Sequence, residues 1–159
     1  MYSKQAVNLK SKSAVSGFTV IELVFVLLIV GILLAIIFSA YNGVHRNQNN
    51  QNRENAVNTI SKNLEAYYVD NSDYPTLIEM NTPTWLAKNM PNLNSAKLQD
   101  PSAKQDKLTD TPKPNYYAYE VTAADGGSCD NVARICQHYS LVATLQKSTA
   151  KTYVKSSLN

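Results

Sequence analysis

A long apolar run near the N-terminus constrains this chain more than any other feature of its sequence. The run extends from Phe18 to Tyr41 and contains a single charged residue, Glu22. Its length exceeds the ~20 apolar residues with which a helix spans the hydrocarbon core of a bilayer. An acidic residue costs roughly 2.5–3.5 kcal/mol at the centre of such a helix, and less near its end. The sequence therefore predicts a membrane-compatible helix in which Glu22 has a use that offsets this cost.

Two ordinary interpretations of the run leave some of its features unexplained. A secretory signal peptide has an apolar region of ~7–15 residues followed by a small-x-small cleavage site. The run is longer than this, and cleavage after Ala40 would place Phe38 where a small residue is required. A plain single-pass anchor fits the length, but it explains neither Glu22 nor the junction between Gly17 and Phe18.

The residues around this junction resemble those of a known family. Residues 16–23 (SGFTVIEL), preceded by a lysine-bearing polar segment, resemble the leader and processing site of type IV pilins and of the related pseudopilins. The resemblance implies that residues 1–17 are a leader, which a prepilin peptidase and methyltransferase removes by cutting after Gly17. Phe18 then becomes the N-terminus, and in this family its amine is usually methylated.

For Glu22, the resemblance implies an ion pair with the terminal amine of Phe18 in a neighbouring subunit of a helical filament. Burying the two charges as a pair is less costly than burying the carboxylate alone. Glu22 also lies in the first helical turn of the cut chain, where the helix dipole favours negative charge. Phe18 and Glu22 are therefore the residues that we expect to direct assembly.

Charge and length indicate how the chain is organised. The formal net charge is +3, and the three lysines of the leader, Lys4, Lys10 and Lys12, account for it. The remainder is neutral, so we predict no specific nucleic-acid partner. Lysines ahead of the apolar run favour a cytoplasmic N-terminus. Residues 18–41 then form the transmembrane or filament-core half of a helix, and residues 42–159 are enough for one small exported domain.

The helical pattern continues beyond the apolar run. No proline precedes Pro75, so we predict one helix over about residues 19–70. Its second half is amphipathic, because apolar residues recur there at spacings of three and four. These residues are Val57, Ile60, Leu64 and Tyr67. Between Pro75 and Pro114, six prolines and poor periodicity predict a loop with one short helical turn at 85–87.

The C-terminal part of the chain shows the alternation that is typical of β-strands. Alternating apolar residues predict strands around 117–121 and 139–143, with a turn at 125–127 between them, and 153–154 suggests a third strand. An antiparallel sheet of this kind covers the apolar stripe of the long helix with one face. The fold class is therefore α+β, and the order of helix before strands matches the pilin fold.

The chain has two cysteines, Cys129 and Cys136, both in the predicted exported domain. An even number of cysteines outside the cytoplasm indicates a disulfide. A loop of about eight residues closed in this way contributes roughly 2.5 kcal/mol on the chain-entropy model. Two free buried thiols are the alternative.

We expect no catalytic, cofactor or metal site, and the chain is not predicted to be an enzyme. The two histidines, His45 and His138, are far apart in the chain, so structural or surface roles are expected for both. The acidic residues after the long helix lack the spacing and the glycine of an EF-hand. Some pseudopilins bind calcium in loops near the position of Asp125 and Asp130, but we expect no calcium here.

The resemblance implies a structural subunit of a type IV pilus, used for adhesion, twitching motility or DNA uptake. Its partners would be other copies of itself, the prepilin peptidase, and a pilus assembly platform with its ATPases. The precursor would lie in the inner membrane, and the assembled subunit in a surface pilus. A pseudopilin of a type II secretion system, a minor or tip pilin that binds a host surface or DNA, and a monomeric anchored protein are the alternatives.

Overall fold

The computed structural model describes residues 17–103, 107–146 and 151–158. Apart from Gly17, the predicted leader lies outside the described residues. The chain divides into two compact units, 1–41 and 42–159. Helix α1, Val20–Asn71, contributes residues to both units, and its bounds confirm the prediction of one long helix.

In the first unit, α1 presents apolar side chains on all sides. Every large apolar side chain from Phe18 to Tyr41 exposes between 43% and 87% of its surface. The helix includes a stretch with a mean hydropathy of 3.3, long and apolar enough to cross a membrane. Among the described residues, no other helix meets the same criterion. Contiguous apolar surface of this extent marks a membrane or protein interaction surface.

In the second unit, α1 buries one face in the core. Val57, Ile60 and Leu64 are fully buried, at the spacing that predicted them. The helix ends where Ser72 adopts a left-handed conformation, with φ of 61°. The Ser72 N–H donates to the Tyr68 carbonyl at 2.7 Å, which satisfies one of the last carbonyl groups of the helix.

The three predicted strands are present and form one antiparallel sheet in the order β1-β2-β3. Strand β1 spans Tyr117–Thr122, β2 spans His138–Leu145 and β3 spans Lys151–Ser156. One face of the sheet contributes buried side chains to the same core as the apolar face of α1. These side chains are Tyr117, Tyr119, Tyr139, Leu141 and Ala143. The α+β fold class is thereby confirmed.

The connection between α1 and the sheet contains more helix than the single turn predicted at 85–87. Helix α2 spans Leu77–Met80 and starts with a capping box between Thr76 and Glu79. Helix α3 spans Pro83–Asn89 and includes the predicted turn, and a 3₁₀ helix follows at Ser95–Leu98. The prediction of a loop was wrong for α2 and the 3₁₀ helix, because four residues are too few to show helical periodicity.

Candidate functional site

The predicted processing junction lies directly before α1. Residues 17–19 are exposed and are not helical. A Cβ atom added at Gly17 would meet nothing within 4 Å beyond its chain neighbours, so no close contact in the described fold calls for glycine at this position. A requirement for glycine would have to come from a protein that recognises the junction. The roles of Gly17 and Phe18 in processing therefore stay a prediction.

Glu22 has partners within its own chain that the sequence analysis did not anticipate. Its Oε2 atom accepts hydrogen bonds from the backbone N–H and from the hydroxyl of Thr19, both at 2.9 Å. The Glu22 N–H donates in turn to Thr19 Oγ1 at 3.3 Å. This reciprocal arrangement is a capping box, for which the sequence pattern T-x-x-E is the signal. The exposed carboxylate is thus held at the N-terminal end of α1.

The predicted disulfide between Cys129 and Cys136 is present, with the two Cα atoms 5.2 Å apart. Asn131 holds the enclosed loop: its side-chain oxygen accepts the Cys136 N–H and its amide donates to the Tyr74 carbonyl, both at 2.8 Å. Asp130 Oδ1 accepts three backbone N–H groups of the loop, which hold the pKa of this carboxyl below its usual range. The disulfide loop is therefore fixed to the residues that follow α1.

The other residues that the sequence analysis considered do not converge on one site. His138 lies on β2 with its Nδ1 atom 3.4 Å from the Ser157 hydroxyl, and His45 lies on α1. Asp125 forms a surface ion pair with Arg134. Within the described ranges, no group of three or more His, Cys, Asp or Glu side chains is arranged to hold a metal ion.

A buried ion pair, which the sequence did not predict, ties the long connection to α1. Arg53 donates through Nε and Nη2 to the two carboxylate oxygens of Asp100, at 2.5 and 2.8 Å. Both side chains are at most 1% exposed. Arg53 also donates to Asn50 Oδ1 at 3.1 Å and to Ser102 Oγ at 3.2 Å. Asn50 exchanges two hydrogen bonds with the backbone of Gln146. One turn of α1 therefore holds both the segment around Asp100 and the end of β2.

Tyrosine hydroxyls form a second buried polar cluster. Tyr74 and Tyr139 donate to the two carboxylate oxygens of Glu65, at 3.0 and 2.9 Å. Tyr119 donates to the Pro75 carbonyl at 2.7 Å. Burial raises the pKa of all three hydroxyls above the usual tyrosine value. The cluster joins α1 to the sheet through side chains whose polar ends are satisfied.

No family model, curated protein or solved structure matches this chain. A functional assignment therefore depends on the sequence motif at the start of α1 and on the geometry described above.

Proposed function

We propose that this chain is the structural subunit of a type IV pilus or a closely related filament. The observation that carries the proposal is the exposure of apolar side chains on all sides of α1 between Phe18 and Tyr41. The second unit has a hydrophobic core of its own, which is built from Ala56 and residues after it. The surface lies in lipid before assembly, and it packs against other copies in the filament. Apolar groups are then kept from water in both states.

The start of α1 supports the same proposal. The motif at residues 16–23 resembles a prepilin processing site, so cleavage would leave Phe18 as a charged terminal amine. The capping box with Thr19 holds the Glu22 carboxylate at the same end of the helix. A Phe18 amine from a neighbouring copy would find an oppositely charged partner there. Extension would depend on separate assembly proteins and ATPases, because the chain itself performs no chemistry in this role.

Processing provides a direct test, because it precedes assembly. The chain recovered from membranes of producing cells should begin at Phe18 and carry an added methyl group, as shown by mass spectrometry. Gly17→Leu should accumulate as the uncut chain. Gly43→Ala serves as the control, since the added methyl group would meet nothing within 4 Å beyond the backbone of its own helix, and the variant should be processed normally.

Two outcomes would count against the proposal. A mature N-terminus near Tyr41 would identify the apolar run as a removed signal peptide and would overturn the proposal. Normal processing of Gly17→Leu would show that the junction is not recognised as the motif implies.

A further inference from the structure

An open groove lies along α2 in the second unit, and we call it the α2 groove. It consists of two adjoining cavities of about 460 and 630 Å³, which share Leu77, Ile78 and Asp110. Its surface is largely apolar, and Ile78 remains 79% exposed. The larger cavity is lined by four carboxylates and by no basic residue. These carboxylates belong to Glu79, Asp110, Glu120 and Asp130. Lys107 lines the smaller cavity, so it is the larger cavity that suits an apolar segment carrying positive charge.

One wall of the α2 groove is an unpaired strand edge. Successive residues of a strand direct their N–H and C=O groups to opposite sides. On the side of β1 away from β2, Thr109 donates to the Tyr117 carbonyl and accepts from the Tyr119 N–H. The same side carries the Tyr119 carbonyl and both backbone groups of Val121, and no described residue pairs with them. Tyr119 and Val121 both line the groove, so an extended segment placed there would meet free donors and acceptors.

Strand β3 has a second unpaired edge, and its charge is opposite to that of the α2 groove. The Ser157 N–H donates to the Tyr139 carbonyl, which fixes the odd-numbered residues of β3 as the ones that face β2. In the part of the chain that the structure describes, the opposite edge has no partner. Its outward backbone groups belong to Thr152, Val154 and Ser156. The strand also carries Lys151 and Lys155, and the Val154 side chain is 48% exposed.

We infer that β3 of one copy docks its free edge along the β1 edge in the α2 groove of the next copy. The contact would combine main-chain hydrogen bonds with lysines that approach the four carboxylates. Because the two surfaces differ, the contact is heterologous, and in a filament its repetition adds subunits as an open helix rather than as a closed ring. This inference rests on the proposed function and names one contact between subunits of the filament. Lysines that merely protect an edge strand from pairing are the competing explanation.

Disulfide cross-linking in assembled filaments tests the contact. Both native cysteines are already joined to each other, so introduced cysteines report on new contacts. Filaments that carry both Glu120→Cys and Val154→Cys should give a ladder of covalent multimers on mild oxidation, and each single variant should give none. The control pair is Glu120→Cys with Val69→Cys, which places the second thiol on a more exposed surface of α1, at 80% against 48% for Val154, and should give no ladder.

Charge reversal provides a second test that does not depend on cysteines. Lys151→Glu with Lys155→Glu should lower the filament yield, and adding Asp110→Lys, on the segment that flanks the β1 edge, should restore part of it. The matched control is Lys62→Glu with Lys88→Glu, which reverses two exposed lysines elsewhere and should leave the yield unchanged. Equal amounts of disulfide-bonded chain in the membrane would show that all variants fold.

The outcomes separate this inference from the function on which it rests. Wild-type filaments without a ladder from the double-cysteine variant, or an unchanged yield after reversal of Lys151 and Lys155, would overturn the contact and leave the filament function intact. Absence of filaments from the wild-type chain would instead overturn the proposed function. A ladder together with rescue by Asp110→Lys would establish the contact.

Discussion

Removing one partner of the buried ion pair should destabilise the second unit strongly. Asp100→Asn keeps the shape of the side chain but leaves the Arg53 guanidinium buried without its counter-charge. Two donors of Arg53, at 2.5 and 2.8 Å, would lose a charged acceptor in a place where both side chains are at most 1% exposed. Breaking a buried pair in this way costs about 3–5 kcal/mol. For a unit of this size, that should lower the unfolding midpoint by on the order of 10 °C or more.

Thermal unfolding of the full chain in detergent, followed by far-ultraviolet circular dichroism, measures this effect. The double variant Arg53→Met with Asp100→Leu should recover much of the loss, because it leaves no buried charge unpaired. Asp125→Asn is the matched control, since it removes the acid of the exposed pair with Arg134 and should leave the midpoint nearly unchanged. A midpoint for Asp100→Asn as high as that of the control would show that the buried pair with Arg53 does not stabilise the second unit.

Two further predictions concern assembly and alkaline stability. Glu22→Ala should leave normal amounts of disulfide-bonded chain in the membrane but give few or no filaments. Glu22→Asp should give an intermediate number of filaments, because the charge is kept and the side chain is shorter. Quantitative blotting measures the amount of chain, and electron microscopy measures the filaments. The folded-state pKa values of Tyr74, Tyr119 and Tyr139 are raised by burial, so the folded state retains their protons when unfolded tyrosines lose them. Stability should therefore be complete below about pH 10 and fall as the pH rises above it. Tyrosinate absorbance of these residues should appear together with unfolding.

Clear results would contradict each of these predictions. Abundant filaments from Glu22→Ala would remove the electrostatic docking argument, and loss of the chain from the membrane would point to a role in stability, such as the capping box with Thr19. Titration of all tyrosines near pH 10 without loss of folded structure would show that the three buried hydroxyls do not oppose ionisation.

Local sequence patterns were sufficient for the main elements of the fold. The three- and four-residue spacing at Val57, Ile60 and Leu64 predicted the buried face of α1, since a helix brings such residues to one side. Alternation around Tyr119 and Leu141 predicted strands whose buried residues have the same period. The disulfide followed from an isolated pair of cysteines. Each of these features depends on residues that are near one another in the chain.

Long-range partners could not be predicted in the same way. Arg53 and Asp100 are 47 residues apart, and nothing in the sequence around either one identifies the other. The hydrogen bonds from Tyr74 and Tyr139 to Glu65 could not be predicted for the same reason, because they depend on how the sheet lies against α1. The capping box at Thr19 is different, since its pattern was visible in the sequence. The ion pair and the helix dipole alone do not indicate that Glu22 also bonds to Thr19.

Electron microscopy of filaments sheared from producing cells, combined with mass spectrometry of their main subunit, would show whether this chain is a filament subunit. We expect filaments whose main subunit is this chain, starting at a methylated Phe18 and retaining the disulfide between Cys129 and Cys136. Filaments should be absent when Gly17→Leu replaces the wild-type chain. A fully processed chain that remains in the membrane fraction, in cells whose filaments contain none of it, would rule out its role as a filament subunit.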